Sequence, residues 1–264
     1  APMADPKGHV VVSTGIYGYD VENATSATRV SAPLLETPVS IDVVDQQLIQ
    51  DKAILNSNEL ANVVSGVQAV AGYGSNASQE FLIRGFTNMG INYRDGYRVQ
   101  EKYTVRDMAN VERVEFIKGP ASVLNGSSQP GGAMNTITKQ AVNYNFTNID
   151  LQAGSYDFYR STIDMNQTFG DVAVRLNLAG DKSNSYIDFE SSRNYLIAPA
   201  LKWKISNDTE ITYSGEFQKT NTSGQSTGLP NINGVANLPI NATLGEPWTQ
   251  FSNLNANNQI NFKS

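Results

Sequence analysis

Two glutamates and a single histidine are the residues of this 264-residue chain best suited to catalysis. Glu112 and Glu115 lie three residues apart and could form the carboxylate pair that general acid–base catalysis uses. No nucleophile–base arrangement or metal-ligand spacing accompanies them, and His9 is the sole histidine. The chain has no cysteine, which excludes disulfides, thiolate metal sites and thiol nucleophiles. We therefore expect no catalytic residues, no metal site and no protein-held cofactor.

Composition narrows the class of protein. Hydrophobic residues make up 40% of the chain and charged residues 17%, which argues against intrinsic disorder. The formal net charge of −6 weighs against nucleic-acid binding, because phosphate contacts need clustered lysine and arginine. No segment reaches the roughly 18 consecutive apolar residues of a membrane helix. Transmembrane β-strands are only weakly hydrophobic, so they would escape that test.

Residues 34–145 contain the short, mixed elements of a small α+β domain. Strands are expected at Ile41–Val44, Phe81–Ile83, Val111–Lys118 and Met134–Thr138. Helices are expected from the cap Asp45 to Lys52, from Asn56 with its partner Glu59 to Gly66, and from Gly119-Pro120 to Leu124. Asp95-Gly96, at the centre of residues 91–99, is a strong signal for a β-hairpin.

Residues 146–264 consist of longer segments in which apolar and polar residues alternate. The clearest are 172–179, 197–205 and 211–218, and weaker ones are 149–153 and 163–165. Such strands are typical of a transmembrane barrel, but a soluble antiparallel sandwich shows the same alternation. The length of the segments and the aromatic residues on their apolar faces, Trp203, Tyr213 and Phe217, favour the barrel.

The stretch from Asn110 to Lys139, NVERVEFIKGPASVLNGSSQPGGAMNTITK, resembles the plug signature of TonB-dependent outer-membrane receptors. In that family a V-E-R-V-E strand precedes G-P-A-S, an L-x-G turn, a P-G-G bend and an N-x-x-T-K strand. LLETPVSI at residues 34–41 resembles the start of the plug. The resemblance implies an α+β plug domain, with a small mixed sheet and short helices, followed by antiparallel transmembrane β-barrel strands of a barrel that is incomplete in this chain.

The residues that match the plug signature of the family fall into three groups. They are four charged residues that could pair, an Arg-Gly turn and an Asp-Gly turn, and several glycines that permit close backbone approach. These residues are Arg84, Gly85, Asp95, Gly96, Glu112, Arg113, Glu115, Gly119, Pro120, Gly126, Gly131 and Gly132. We expect the charges of Arg84, Glu112, Arg113 and Glu115 to pair with each other or with the barrel lining. The alternative is a solvated strand face that contributes little energy.

The segment HVVVSTG near the N-terminus resembles the TonB box, by which these receptors engage an energy-transducing partner protein. Its candidate residues are His9, Val10, Val11, Val12, Ser13 and Thr14. Binding would occur by strand addition, in which main-chain hydrogen bonds give affinity. The alternative is an extended arm with a chance run of valines.

The resemblance also implies that outward-facing loops of the plug contact the ligand. These loops would be residues 72–77, 87–90 and 100–103, and the candidate substrate-binding residues are Tyr73, Met89, Lys102 and Tyr103. Tyrosine offers an apolar ring with a polar tip, and Lys102 could meet an anionic ferric chelate. Each of them could equally be an ordinary surface residue of a loop.

The expected function is import of a ferric siderophore, with iron carried inside the ligand. Gly228-Leu229-Pro230 and Gly245-Glu246-Pro247, in a long loop after Thr220, resemble features of siderophore receptors, including hydroxamate receptors. The alternatives are a receptor for cobalamin or an oligosaccharide, and a soluble plug-like binding or signalling module. The expected partners are the ferric siderophore, a TonB-type protein and outer-membrane lipid, with no nucleic acid.

The expected organisation has three parts. Residues 1–33 form the arm with the TonB box, residues 34–145 the plug domain, and residues 146–264 the start of the barrel, with about five strands and a long extracellular loop. A 22-stranded barrel needs many more residues, so the chain is expected to be a fragment. It is placed in the outer membrane of a Gram-negative bacterium, with the plug inside the barrel and the arm in the periplasm.

Overall fold

The computed structural model describes residues 23–24, 32–33, 40–70, 79–88, 91–100, 104–119, 130–223, 231–232, 235–236, 239, 241–242 and 250–263. Within these ranges, no helix has the length and apolar character needed to cross a membrane. Two short strands, Asn23–Ala24 (β1) and Ala32–Pro33 (β2), pair antiparallel ahead of the first domain.

A strand and a capped helix open that domain. Strand Ser40–Asp45 (β3) leads directly into helix Gln46–Asp51 (α1). Asp45 keeps an extended backbone, and its Oδ1 accepts a hydrogen bond from the Leu48 amide at 2.7 Å. This bond satisfies one of the free N–H groups of the first helical turn. The predicted cap is confirmed.

The second predicted helix is shorter and tighter than expected. It is a 3-10 helix over Ser57–Asn62 and does not continue to Gly66. Asn56 caps it as expected. The β-branched pair Val63-Val64 follows, and such residues lose side-chain freedom in a helix. The chain then enters a strand at Val67, which leaves no room for another helical turn.

The remaining strands of this domain build two small sheets. Their bounds are Val67–Ala69 (β4), Phe81–Ile83 (β5), Phe86–Thr87 (β6), Ile91–Arg94 (β7), Tyr97–Gln100 (β8), Val111–Lys118 (β9) and Gly132–Thr138 (β10). The five-stranded sheet has the order β3-β9-β10-β7-β8, and β10 with β7 is its parallel pair. The three-stranded sheet has the order β4-β5-β6. The predicted mixed sheet is therefore present.

One apolar core holds these sheets and helices together. Phe81 and Phe116 meet edge to face at its centre, with ring centroids 6.0 Å apart. Leu60 and Val114 are fully buried beside them. The core draws on β3, α1, the 3-10 helix, β5, β9 and β10, so these elements form one structural unit.

Long antiparallel strands follow, each paired with the next along the chain. They are Phe146–Gly154 (β11), Phe158–Phe169 (β12), Val172–Asn184 (β13), Ser191–Lys204 (β14) and Glu210–Ser223 (β15); after the short pair Asn231–Ile232 (β16) and Val235–Ala236 (β17) comes Gln250–Lys263 (β18). The sheet order is β11-β12-β13-β14-β15-β18.

The sheet of long strands is polar on the face that contacts the first domain and apolar on the opposite face. Asn177 and Glu216 are buried on the inner face, whereas Leu151, Ile197 and Phe262 expose 77%, 52% and 76% of their surfaces on the outer face. A soluble sandwich would bury the apolar face against a core. Apolar-out, polar-in alternation is the pattern of a transmembrane barrel.

The outer face carries a band of apolar rows, because cross-strand partners stay in register. Phe169, Val172, Trp203, Ile211 and Phe262 form one row. A parallel row eight residues further along β14 contains Leu151, Tyr195 and Leu254 together with Lys219. At about 3.3 Å per residue and a tilt of about 40°, the two rows lie about 20 Å apart in height. The apolar band between them covers most of the roughly 25 Å that faces lipid in membrane barrels.

The described residues contain six long strands, against about five expected. The additional strand is β18, which lies inside the stretch predicted as loop. Its inward positions from Asn253 to Asn261 are asparagine and glutamine, and asparagine is rare in strands. Asn253 and Gln259 nevertheless donate hydrogen bonds to the first domain. A polar partner on the inner face explains why an asparagine-rich segment forms a strand here.

Candidate functional site

The Arg-Gly-Phe segment forms a tight turn that sits against the end of the β9–β10 hairpin. Arg84 and Gly85 have φ values of +51° and +83° and connect β5 to β6. A Cβ at Gly131 would lie 2.2 Å from the Ile83 carbonyl oxygen. Gly132 has a φ of +135°, so it also requires glycine. The Gly119 amide donates to the Gly131 carbonyl at 2.9 Å, which closes the hairpin base.

The Asp95-Gly96 turn joins β7 to β8, as the sequence predicts. Both residues have positive φ, as the type I′ two-residue hairpin turn requires. The Asp95 carboxylate accepts hydrogen bonds from the Thr138 amide and hydroxyl, both at 2.8 Å. The Gly96 amide donates to the Asn135 side chain at 3.1 Å. The turn is therefore fastened to β10.

The three charged signature residues of β9 have different surroundings. Arg113 Nε donates to Glu115 Oε1 at 2.7 Å, and Glu115 is fully buried. Glu112 is partly buried on the same strand. The Arg113–Glu115 pair thus joins two residues of the first domain.

The principal contact between the two sheets involves residues outside the predicted set. Residues 104–110, named here the docking segment, run along the inner face of β12 to β18. Arg106 Nη1 donates to Glu216 Oε2 of β15 at 2.6 Å, and Asn110 Nδ2 donates to the same oxygen at 2.7 Å. Arg94 Nη2 lies 3.8 Å from that oxygen. Two arginines and one amide therefore surround a single buried carboxylate.

A second ionic cluster lies one residue further along the docking segment. Arg160 of β12 donates to both carboxylate oxygens of Asp107, at 2.7 and 2.8 Å. The same guanidinium donates to Asp181 of β13 at 2.6 Å. Asn194 of β14 donates to Asp107 at 2.6 Å. Asp107 is thereby connected to three consecutive strands, and the bidentate arginine pair adds directionality as well as energy.

Backbone groups and small side chains complete this contact. Gln218 Nε2 donates to the Val105 carbonyl at 2.8 Å, and Gln218 Oε1 accepts from the Asp107 amide at 3.1 Å. Ala109 packs against buried, mostly small residues of the inner face, namely Ala179, Leu196 and Ala198. The docking segment therefore meets the sheet of long strands through one main-chain edge and its side chains, while the Arg106 backbone exchanges hydrogen bonds with Ser57 of the first domain.

A third cluster lies where the first domain continues into β11. Asp164 accepts hydrogen bonds from Arg175 at 2.8 Å, through two nitrogens, and from Lys139 at 3.0 Å. Burial lowers the pKa of the Lys139 ammonium from its ordinary value, and the nearby Asp164 carboxylate opposes this effect. Arg175 also donates to the Gln140 carbonyl at 2.9 Å.

Several predicted residues lie outside the described residues. They are the six TonB-box candidates from His9 to Thr14, the four ligand candidates Tyr73, Met89, Lys102 and Tyr103, the signature residues Pro120 and Gly126, and the third predicted helix. These remain predictions from sequence.

The sequence gives only a weak indication that the docking segment binds the long strands. Arg106-Asp107 is a charged pair directly ahead of the V-E-R-V-E strand, in a chain poor in charge. Glu216 and Gln218 occupy the polar positions of an alternating strand. Alternation indicates that they share one face, but it names no partner more than 100 residues away. These buried charge pairs hold the first domain against the inner face of the long strands.

Comparison with known proteins identifies both the first domain and the sheet of long strands. Residues 33–133 match the family model of the TonB-dependent receptor plug domain. The metal-pseudopaline receptor CntO of Pseudomonas aeruginosa is 32% identical over 235 residues, which cover 88% of this chain and 33% of that protein. The chain thus spans about a third of the length of the curated relatives it matches.

Solved structures agree with the fold. The ferripyoverdine receptor of the Pseudomonas aeruginosa outer membrane, bound to ferripyoverdine, has a TM-score of 0.83 at 25% identity, covering 91% of this chain and 34% of that one. The ferric-catecholate import receptor Fiu of Escherichia coli, in its open form, has a TM-score of 0.69 at 30% identity, covering 76% and 30%. This chain belongs to the TonB-dependent receptors and comprises their plug domain and the first strands of their barrel.

Proposed function

We propose that this chain is part of a receptor that imports a ferric siderophore through the outer membrane of a Gram-negative bacterium. The observation that carries the proposal is a plug domain held by buried ion pairs on the polar inner face of a membrane-facing wall. Receptors named for ferric ligands share this arrangement of plug and strands. Iron would arrive inside its chelate as cargo, so the receptor acts as a transporter and not as an enzyme.

The ligand would meet the outward loops of the plug. Tyr73, Met89, Lys102 and Tyr103 are the proposed contact residues, by resemblance to the family. Lys102 would attract an anionic ferric chelate, and the aromatic rings would cover its apolar parts.

Ligand binding is tested with the full-length receptor, by following tryptophan and tyrosine fluorescence during titration with ferric hydroxamate and ferric catecholate complexes. Saturable change with one class is expected, and Lys102→Gln should weaken it. Lys52→Gln, on the exposed end of α1, is the matched control and should leave binding unchanged. Absence of any response, together with growth on cobalamin or a glycan that is lost on gene deletion, would favour the alternative receptors.

A second candidate cargo is a chelate of a different metal. The relative at 32% identity over 88% of this chain is named for a metal complex of pseudopaline and not for iron alone. Titration with the same chelators loaded with zinc or nickel separates the two candidates. Tighter binding of the zinc or nickel complexes than of the ferric ones would move the assignment to this second candidate.

Energy for import would come through the N-terminal arm. The segment from His9 to Thr14 would add as a strand to a TonB-type protein in the periplasm. Val11→Pro removes a backbone donor and should abolish uptake while leaving ligand binding intact. Val11→Ala keeps the donor and serves as the control. Unchanged uptake in the proline variant would refute the assignment.

A further inference from the structure

An asparagine lies in the middle of the apolar outer face of the barrel wall. The outward positions along this part of β18 are Leu254, Ala256, Asn258, Ile260 and Phe262, so Asn258 has apolar neighbours on both sides. It is exposed on that face. Leu254 and Phe262 belong to the two rows that bound the apolar band, and Asn258 is four residues from each. At about 3.3 Å per residue and a tilt of about 40°, it stands about 10 Å from either row, at the mid-depth of the band.

The Asn258 side chain accepts a hydrogen bond from a tyrosine on the neighbouring strand. The Tyr213 hydroxyl of β15 donates to Asn258 Oδ1 at 2.7 Å. The two groups meet above Gly215, where a Cβ would lie 2.6 Å from the Tyr213 hydroxyl and 3.1 Å from Asn258 Oδ1. The absence of a side chain at Gly215 therefore makes room for this contact.

The nitrogen end of the same amide finds no acceptor among the described residues. Asn258 Nδ2 carries two N–H donors. The hydrocarbon of a bilayer contains no water that could accept from them. An amide that stays unsatisfied in an apolar medium costs free energy, so the membrane favours a partner that approaches this face from outside.

A second copy of the receptor offers the complementary group at the same depth. Two copies related by a two-fold axis along the membrane normal keep the same orientation in the bilayer, and a residue on the axis then meets itself. An amide is self-complementary, because Nδ2 donates while Oδ1 has a second lone pair beside the one that Tyr213 uses. The neighbouring Ala256 and Gly215 are small. Small residues allow membrane-spanning helices to approach closely, and the same steric argument applies to two barrel walls.

We propose that the outer face of β15 and β18 is the interface of a homodimer in the membrane, with Asn258 on the two-fold axis. Each Asn258 Nδ2 donates to the Oδ1 of the same residue in the second copy, and Tyr213 holds each amide in this orientation. Ile260 and Phe217 flank the amide pair and exclude lipid from it. The interface depends on the membrane placement of the wall and is independent of the siderophore.

The test uses the full-length receptor in lipid vesicles at several protein-to-lipid ratios. Energy transfer between copies labelled with donor and acceptor fluorophores measures the dimer fraction. A hydrogen bond between membrane-embedded residues changes affinity by roughly three- to twenty-fold. Asn258→Leu removes two such bonds and should weaken dimerisation by roughly ten-fold or more. Asn258→Gln keeps the amide and should retain more dimer than Asn258→Leu.

Thr147→Leu is the matched control on the same face. Thr147 of β11 lies opposite Met165, which is four residues from Phe169 of the lower row, so it has the same depth as Asn258. This variant also replaces a polar residue by leucine, but at the other end of the sheet. It should dimerise as the wild type does.

Cross-linking locates the interface. This chain has no cysteine, so Ile260→Cys introduces a thiol beside Asn258 in a receptor without other cysteines. A short thiol-reactive cross-linker should join two copies of this variant, and combining it with Asn258→Leu should remove most of the product. Val174→Cys lies in the same cross-strand row three strands away and should not be joined.

Three outcomes would overturn the proposal. They are a receptor that stays monomeric at every protein-to-lipid ratio, equal dimerisation of the wild type and Asn258→Leu, and a dimer that cross-links through Val174→Cys but not through Ile260→Cys. Leucine suits a lipid-facing position, so Asn258→Leu should fold normally. Heat-modifiable migration of the barrel on a gel checks this, and if the variant misfolds, cross-linking of Ile260→Cys alone decides.

Discussion

Arg106 and Glu216 join the plug to the barrel wall across 110 residues of sequence, with a guanidinium nitrogen 2.6 Å from a carboxylate oxygen. Both side chains are about 1% exposed. Asn110 donates to the same oxygen, so the carboxylate is held by plug residues on two sides. A buried charge that loses its partner keeps its desolvation cost. The seating of the plug is therefore expected to depend strongly on this pair.

Glu216→Gln should lower the free energy of unfolding by about 3–5 kcal/mol, because Arg106 keeps its buried charge and loses its counter-ion. Denaturant titration of the full-length receptor, followed by protease accessibility of the plug, measures this loss. Glu210→Gln breaks the partly exposed pair with Lys202, 3.0 Å long, and should cost about 0–1 kcal/mol. Equal losses in the two variants would contradict the prediction.

Replacing both partners distinguishes lost charge pairing from general damage. A double variant with Leu at Arg106 and Glu216 removes both buried charges together. It should be more stable than Glu216→Gln, because apolar replacement of a whole buried pair is often neutral. A double variant as unstable as the single one would show that packing, and not charge, holds this position.

Gly131→Ala should disrupt the plug, because the added Cβ would lie 2.2 Å from the Ile83 carbonyl oxygen. Backbone must shift to relieve that contact, at a cost of roughly 1–3 kcal/mol or more. Gly180→Ala is the matched control, since its nearest neighbour is a Tyr195 ring carbon at 3.8 Å. Thermal unfolding of both variants measures the difference. A normal midpoint for Gly131→Ala would mean that the two turns do not touch in the receptor.

Ile197→Lys should be costly, and Trp203→Lys should not. Ile197 lies within the apolar band, whereas Trp203 lies in its lowest row. A lysine on the lipid face costs about 2–4 kcal/mol at the midplane and about 0–1 kcal/mol near the interface. Folding of the two full-length variants into lipid vesicles measures this difference. Equal costs at the two positions would place the membrane elsewhere on this wall.

Glu59 should make plug stability depend on pH. Burial raises the pKa of its carboxyl above the ordinary value of 4.5, although hydrogen bonds from the Leu55 amide and Asn56 oppose this. The folded plug thus binds the proton more tightly than the unfolded chain. This term favours folding below pH 4.5 and is lost as pH rises through the folded pKa. Stability of Glu59→Gln relative to wild type, measured from pH 4 to 8, should rise with pH; a constant difference would contradict the assignment.

Local sequence signals were sufficient to predict the elements whose conformation depends on neighbouring residues alone. Asp95-Gly96 needs only positive φ at two adjacent residues, and the structure has the predicted hairpin there. Strand β9 appears with the predicted bounds, Val111–Lys118. The long strands also follow from alternation, because a two-residue period is a property of the strand itself.

Other features depended on partners distant in sequence. Strand β18 is rich in asparagine, and it becomes favourable only because Asn253 and Gln259 meet the plug. The docking segment looked like an ordinary loop ahead of β9. Its role requires knowing that Arg106 and Asp107 face Glu216 and Arg160, which no local pattern reveals.

The position of β3 has a mechanical consequence. Among the described strands it is the edge of the plug sheet, bonded only to β9, from the pair Ser40–Lys118 to the pair Asp45–Arg113. A pull on the chain ahead of Ser40 loads the first of these pairs before the others, so the ladder can open one pair after another, as a zipper does. The pairing of β9 with β10 would survive that opening, since it uses the other edge of β9. A small force could therefore loosen the start of the plug while most of its sheet stays folded.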